Sequence, residues 1–190
     1  HWPLLSLRKK HCNYSLRVFF MKPYTLLALI VASTLLLTGL IACTDNAQQA
    51  KVVHQAVAME SSDECHLCGM LITHFDGPKG EVFRKEQGDK VFKFCSTRDM
   101  FSYYLDPENK RNVAQMLVHD MSKMLWGSDS IDDKYFIDAK TAWYVAGSEK
   151  TGAMGQTLAS FSQKQDAAAF AKEFGGQVLT FKEINLDVLM

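Results

Sequence analysis

An apolar run from Leu26 to Ala42, broken only by small or hydroxylated residues and Gly39, limits this chain more than any other feature. It follows Met21, Lys22, Pro23 and Tyr24, and it ends on a small residue before Cys43. A short basic segment, an apolar segment and a small residue at the cut is the layout of a secretory signal. The run approaches the roughly 20 residues that span a bilayer, so an uncleaved membrane anchor is the rival reading. Residues 1–42 are therefore read as an upstream extension plus signal peptide, with residues 1–20 lying before a translation start at Met21.

The leader also distorts the composition. It holds Arg8, Lys9, Lys10, Arg17 and Lys22 and no acid. The 190-residue chain is formally neutral, but the 148 residues that follow the leader carry 16 bases and 21 acids, a formal charge of −5. Such a balance gives no support to a nucleic-acid binder. Leu40-Ile41-Ala42-Cys43 resembles the lipobox of bacterial lipoproteins, in which the cysteine is acylated and becomes the mature N-terminus. Cys43 is then the lipidation site and the body is held to a membrane by its lipid, facing the periplasm. Thr44 follows where an Asp would mark retention, which points to the outer membrane. Outside the cytoplasm unprotected thiols tend to be oxidised. The three that remain, Cys65, Cys68 and Cys95, cannot all pair within one chain.

Residues 43–61 carry no core pattern and read as a lipidated cysteine plus flexible tether. The folded part is expected from about Asp63, as an α+β protein of two small lobes, residues 62–108 and 109–190. In the first, Leu71–Phe75, Glu81–Lys85 and Val91–Phe94 read as strands with turns at Gly77–Gly80 and Gly88-Asp89. Ser96 with Asp99 resembles a cap for a helix over 97–105, with Met100 and Tyr104 facing inward. In the second, Val113–His119, Trp143–Val145 and Gln156–Phe161 read as strands. Ser162 with Gln165 fits a capping box for a helix ending at Gly175-Gly176, and Val178–Ile184 alternates as a last strand. Each lobe is thus a short antiparallel sheet with one helix.

The chemistry concentrates in Cys65-His66-Leu67-Cys68-Gly69-Met70. Thiolates, an imidazole and a thioether within six residues select soft cations, above all Cu(I). Zinc suits the thiolates but rarely takes Met. Gly69 permits a sharp turn, so that Cys68 and Met70 can face one ion. Two alternatives remain: a passive Cys65–Cys68 disulfide, and a thiol–disulfide redox motif, which ordinarily precedes a helix rather than a β run. Cys95 is either a third sulfur ligand or, the preferred reading, a buried core thiol. His74 would share Met70's face on a strand, more often a solvated position. His119, Asp120, Met121 and Met124 form a second soft patch, more simply read as core. His54, in the tether, carries no role. Met154, in Gly152-Ala153-Met154-Gly155, either swings to complete a site or tucks onto a neighbour. There is no phosphate-cradling glycine loop and no zinc-protease helix motif.

A lipobox, a tether, Cys68-Gly69-Met70, and later Ala142-Trp143-Tyr144-Val145 and Gly152-Ala153-Met154-Gly155 before Phe161 and a helix together resemble the NosL family of nitrous oxide reductase accessory lipoproteins. That resemblance implies a Cu(I)-binding copper chaperone, not an enzyme, that helps mature the copper centres of nitrous oxide reductase. It implies partners, the reductase and its ABC-transporter assembly complex. It also implies two ββαβ-like lobes resembling part of organomercurial lyase. The family motif carries over onto Cys68 and Met70, and Met154 matches its Met-Gly loop. Cys65 and Cys95 are additional to that motif. The competing functions are a thiol–disulfide oxidoreductase and a structural lipoprotein cross-linked by zinc or a disulfide.

Overall fold

A computed structural model describes residues 53–127 and 132–190. The leader, Cys43 and the start of the tether lie outside the described residues. The first sheet is built from β1 (Gly80–Arg84) and β2 (Val91–Phe94). Helix α1 (Thr97–Leu105) and the short α2 (Pro107–Lys110) follow, then β3 (Val113–His119) and β4 (Phe136–Asp138). Its strand order is β2-β1-β3-β4, antiparallel throughout. Next along the chain come β5 (Trp143–Ala146), a hairpin of β6 (Thr151–Gly152) and β7 (Gly155–Gln156), and β8 (Ala159–Phe161), of which β5 and β8 belong to the second sheet. Helix α3 (Lys164–Phe174), β9 (Gln177–Thr180) and α4 (Leu186–Leu189) complete the chain. This sheet has the antiparallel order β8-β5-β9, with the β6–β7 hairpin separate. Two short antiparallel sheets with few helices is the expected fold class.

The first sheet runs across residue 108, the boundary expected between the two lobes. Strand β1 has two edges to fill; β2 takes one, and β3, from beyond residue 108, takes the other with Val82 opposite Met116. The two sheets also share one core. Phe101 of α1 meets Tyr144 of β5 edge-on at 5.1 Å and lies 5.4 Å from Phe181, so one helix seats on both. Gly80 lets α1 approach β1: a Cβ there would stand 2.6 Å from Met100 Sδ.

The folded part begins earlier than Asp63. His54 stacks on Phe83 at 4.4 Å, and its N–H and C=O bond the Gln115 side chain at 2.8 and 3.1 Å. The Val57 N–H is shared by both Glu81 carboxylate oxygens at 3.1 and 3.3 Å. Polar strand side chains thus hold residues 53–58 on β1 through the segment's backbone, which a hydrophobic pattern would not reveal. Glu81, Val82 and Phe83 are accordingly buried on both faces.

Three local expectations change. Leu71–Phe75 is not a strand: Leu71 makes a single bridge to Glu64, and Ile72–His74 is a 3-10 turn, because the Ile72 N–H bonds back to Asp63 C=O. Gln156–Phe161 breaks into β7 and β8, and the last strand stops at Thr180, where a Thr180–Glu183 capping box opens a 3-10 turn. The Ser162 capping box is not made. Helix α3 starts from Gln163 without a side-chain cap, and the Ser162 N–H donates to Asp120 Oδ1 at 2.9 Å.

That last bond belongs to a clasp between the sheets. Ser160 Oγ donates to His119 C=O at 2.7 Å, and the Met121 N–H donates to Ser160 C=O at 2.8 Å. His119 is fully buried against Phe136, its Nδ1 accepting the Lys79 N–H at 3.3 Å. The His119–Met121 segment thus packs as structure, the simpler of the two readings of that patch. Burial, and then the nearby Lys79 charge, push the His119 pKa down to about 3. With a folded pKa below the unfolded value of about 6.5, its contribution is complete above pH 6.5 and is lost as pH falls toward 3. We expect its ring resonances to stay untitrated between pH 7 and 4 while the unfolding midpoint declines. An ordinary titration near 6.5 would contradict this packing.

The helix that carries the site is fixed by its cap. Ser96 Oγ accepts the Asp99 N–H at 3.1 Å, supplying a partner for an otherwise unpaired first-turn donor. Ser96→Ala should cost about 1 kcal/mol, read as a lowered chemical-denaturation midpoint. An unchanged midpoint would show that the cap contributes nothing.

Candidate metal centre

Residues 64–71 form a closed loop. The Cys65 N–H donates to Met70 C=O and the Gly69 N–H to Cys65 C=O, both at 2.8 Å. Gly69, at φ +73°, takes the left-handed conformation that this reversal requires. The loop is docked on β2 through Lys93. The His66 N–H bonds Lys93 C=O at 2.8 Å, and the Lys93 ammonium meets Asp63 Oδ2 at 2.5 Å. Docking there sets Cys68 beside Cys95, the residue that follows β2 and precedes the Ser96 cap.

Four donors converge as a result. The Sγ atoms of Cys65, Cys68 and Cys95 and a carboxylate oxygen of Asp99 all lie within 4.8 Å of one another. Cys68 Sγ stands 3.5 Å from Cys95 Sγ, and Cys95 Sγ donates to Asp99 Oδ2 at 3.1 Å. Cys65 Sγ is 3.7 Å from the same oxygen. All three cysteines are free thiols. Cys65, Cys95 and Asp99 are buried and Cys68 is half-buried, so Cys68 is the donor open to an incoming group.

The thiols differ in acidity. The adjacent Cys95 S–H stabilises the Cys65 thiolate and holds its pKa at about 5, against burial and with help from the backbone N–H groups of Cys95, Cys68 and Leu67. Cys65 in turn pushes Cys95 upward, with burial and the Asp99 carboxylate adding to the effect. Burial raises Cys68 as well. A thiolate is both the nucleophile and the metal ligand, so Cys65 supplies the first anchoring charge. Lys79, itself buried, donates from Nζ to the carbonyls of Phe75 and Asp76. Burial lowers its pKa to about 8, while the charges of Cys95, Asp76 and Cys65 oppose that shift. Its ammonium thus lies within the field of the thiol cluster.

The structure sorts the other candidates. His66 is not in the cluster: its ring stacks on Phe92 at 3.9 Å, edge-on to Phe94 and Tyr103, because the loop docks on that aromatic face. Met70, two residues after Cys68 in the loop, is half-buried and packs against the core. His74 is exposed on the 3-10 turn. Met154 is 64% exposed at the tip of the β6–β7 hairpin, with a left-handed φ of +62°. Its C=O accepts from Arg98 at 3.3 Å, and Thr97 Oγ1 meets Thr157 Oγ1 at 3.1 Å, so the hairpin is tied to the first turn of α1. Cys95 is buried, as the core reading has it, and its Sγ also faces the cluster. Asp99 was missed, although Cys95 and Asp99 flank the Ser96 cap four residues apart, a spacing that puts side chains on neighbouring turns.

The chain matches the NosL family over residues 56–189. It is 44% identical to the copper-binding lipoprotein NosL of Stutzerimonas stutzeri over 165 residues, covering 87% of this chain and 81% of that one. It is 34% identical to the copper-binding lipoprotein NosL of Achromobacter cycloclastes over 156 residues, covering 82% and 78%. The crystal structure of the copper chaperone NosL from Shewanella denitrificans superposes with a TM-score of 0.68 at 51% identity, covering 72% of this chain and 99% of that one. The match spans both sheets and the loop that carries Cys65 and Cys68, and on these grounds the chain belongs to the NosL family.

Proposed function

We propose that the protein is a periplasm-facing lipoprotein, anchored through Cys43, that carries Cu(I) as cargo to the copper centres of nitrous oxide reductase. The convergence of three thiols on one point is the observation that carries the reading. Soft thiolates favour Cu(I) over harder ions, and the relatives are named as copper-binding proteins. Thiolates held on the metal are also protected in a compartment that oxidises free thiols.

A carrier must keep its ion and yet give it up. The buried Cys65 and Cys95 shield one side of the ion, while the half-buried Cys68 faces the approach. An incoming ligand can bond copper before Cys68 leaves, so no naked ion forms. Met70 adds a thioether two residues after Cys68. Met154 offers a second thioether on an exposed tip, a landing donor during exchange. The recipients are nitrous oxide reductase and its ABC-transporter assembly complex, reached from the periplasmic side. The protein is a carrier and not an enzyme.

Deleting the gene in its host and purifying the reductase tests the reading. The reductase should come out depleted of copper and regain it when the protein is supplied. A fully loaded reductase from the deletion strain would overturn the role.

A further inference from the structure

One apolar face is left open among the described residues. Met121, Met124, Leu125 and Trp126 form one wall of a groove of about 370 Å³, and Phe170 and Phe174 of α3 form the other. The two α3 rings are four residues apart, so they share one stripe of the helix. Trp126 lies 5.7 Å from Phe170, which lies 4.9 Å from Phe174. The first wall is fixed where it meets the body. Trp126 Nε1 donates to Thr151 C=O at 3.1 Å, and its ring fills the space over Gly77, where a Cβ would stand 2.9 Å from it. Leu125, next to that fixed ring, is 82% exposed; among the described large apolar side chains only Met190 is more so.

Contiguous exposed apolar surface marks an interaction site, and two features say what covers this one. The first is charge. The residues after the leader carry −5 overall, yet the groove's described lining holds one cation, Lys150, and no carboxylate. The Lys150 ammonium lies 4.2 Å from the centroid of the Phe174 ring. A lysine so placed keeps its stem on an apolar face and its head among phosphates. Tryptophan likewise settles where hydrocarbon meets headgroups. The second feature is reach. Ten residues separate Cys43 from Val53, so the lipid lies at most about 36 Å from the first described residue. The next residue, His54, is fastened to Gln115 of β3, and Met121 follows Gln115 by six residues, about 20 Å at the rise of a strand. The bilayer that holds the lipid is thus always within range of the groove. A contact too weak to hold a free protein suffices for a tethered one.

We propose that this groove is a membrane-docking face: Met124, Leu125 and Trp126 enter the headgroup layer of the bilayer that holds the Cys43 lipid, and Lys150 meets its anionic phosphates. The proposal rests on the anchor at Cys43 and not on copper. Docking fixes the orientation of a body that a lipid anchor alone does not orient.

The test uses the mature chain, lipidated at Cys43 and reconstituted in vesicles of phosphatidylethanolamine and phosphatidylglycerol. Trp126 and Trp143 are its two tryptophans, and Trp143→Phe leaves Trp126 as the reporter. Vesicles whose acyl chains are brominated near the headgroup should quench its emission by roughly half or more, because an interfacial tryptophan sits at that depth. Leu125→Glu, a change at an exposed position, should abolish most of the quenching while the protein still floats with the vesicles. Should Trp143→Phe not fold by far-UV circular dichroism, the quenching lost between the parent and Leu125→Glu is read with both tryptophans present. Emission insensitive to bromine in protein that floats, the result if the groove takes a protein partner instead, would overturn the docking while the anchor stands. Quenching unchanged by Leu125→Glu would overturn it too. Protein that does not float would overturn the anchor and the docking together.

Discussion

Cys68→Ser should strip the protein of tightly held Cu(I). In competition with a colorimetric Cu(I) chelator, the affinity should fall by more than the roughly 10–100-fold that losing an outer-shell partner costs. Cys68 is the half-buried donor in the cluster, 3.5 Å from Cys95 Sγ, and a hydroxyl is too hard to replace its thiolate for a soft ion. The loop should keep its shape, since the Cys65–Met70 and Gly69–Cys65 backbone bonds do not involve the thiol. Far-UV circular dichroism of the variant should therefore match the parent. Met70→Leu keeps the volume and removes one thioether, so its loss should be smaller. Retention of copper by Cys68→Ser at parental affinity would remove this residue from the site.

Tyr144→Ala should produce the largest loss of stability outside the site. Tyr144 is fully buried on β5, edge-on to Phe101 of α1, and its hydroxyl donates to Ala139 C=O at 2.6 Å. It is the contact through which the second sheet seats the helix that carries Asp99. Truncating a buried aromatic costs about 3–5 kcal/mol. For a body of this size that is a fall in melting temperature of roughly 10 °C or more. Tyr144→Phe removes only the hydroxyl and should cost about 1 kcal/mol, separating the hydrogen bond from the ring. Calorimetry of the two variants checks both values, and equal losses would show that the ring contributes little.

The sequence was informative where local chemistry decides the structure. Helix α1 begins and ends where Ser96, Asp99 and Pro107 place it, and β3 covers the same residues as the apolar run Val113–His119. The Cys65–Met70 loop was legible because thiols close in sequence need no tertiary knowledge to be paired. What lay hidden depended on partners far along the chain. Residues 53–58 look like tether because Glu81 and Gln115 hold them through their backbone, which no apolar pattern shows. Ser162 resembles a cap, but Asp120, 42 residues earlier, takes its N–H. Leu71–Phe75 has strand-like composition but no neighbouring strand, so it closes into a turn. His66 has the right chemistry for a ligand, and only the position of Phe92 on β2 shows that its ring is already engaged. Asp99 joins the site because β2 brings Cys95 beside Cys68, a pairing set by sheet register.

Copper K-edge X-ray absorption on the anaerobically loaded Cu(I) protein tests the central claim most directly. A sulfur-dominated first shell, with the intensity of the thiolates Cys65, Cys68 and Cys95 and without the outer-shell pattern of imidazole, is the predicted result. A shell dominated by nitrogen or oxygen, with imidazole scattering and no more than one sulfur, would contradict it.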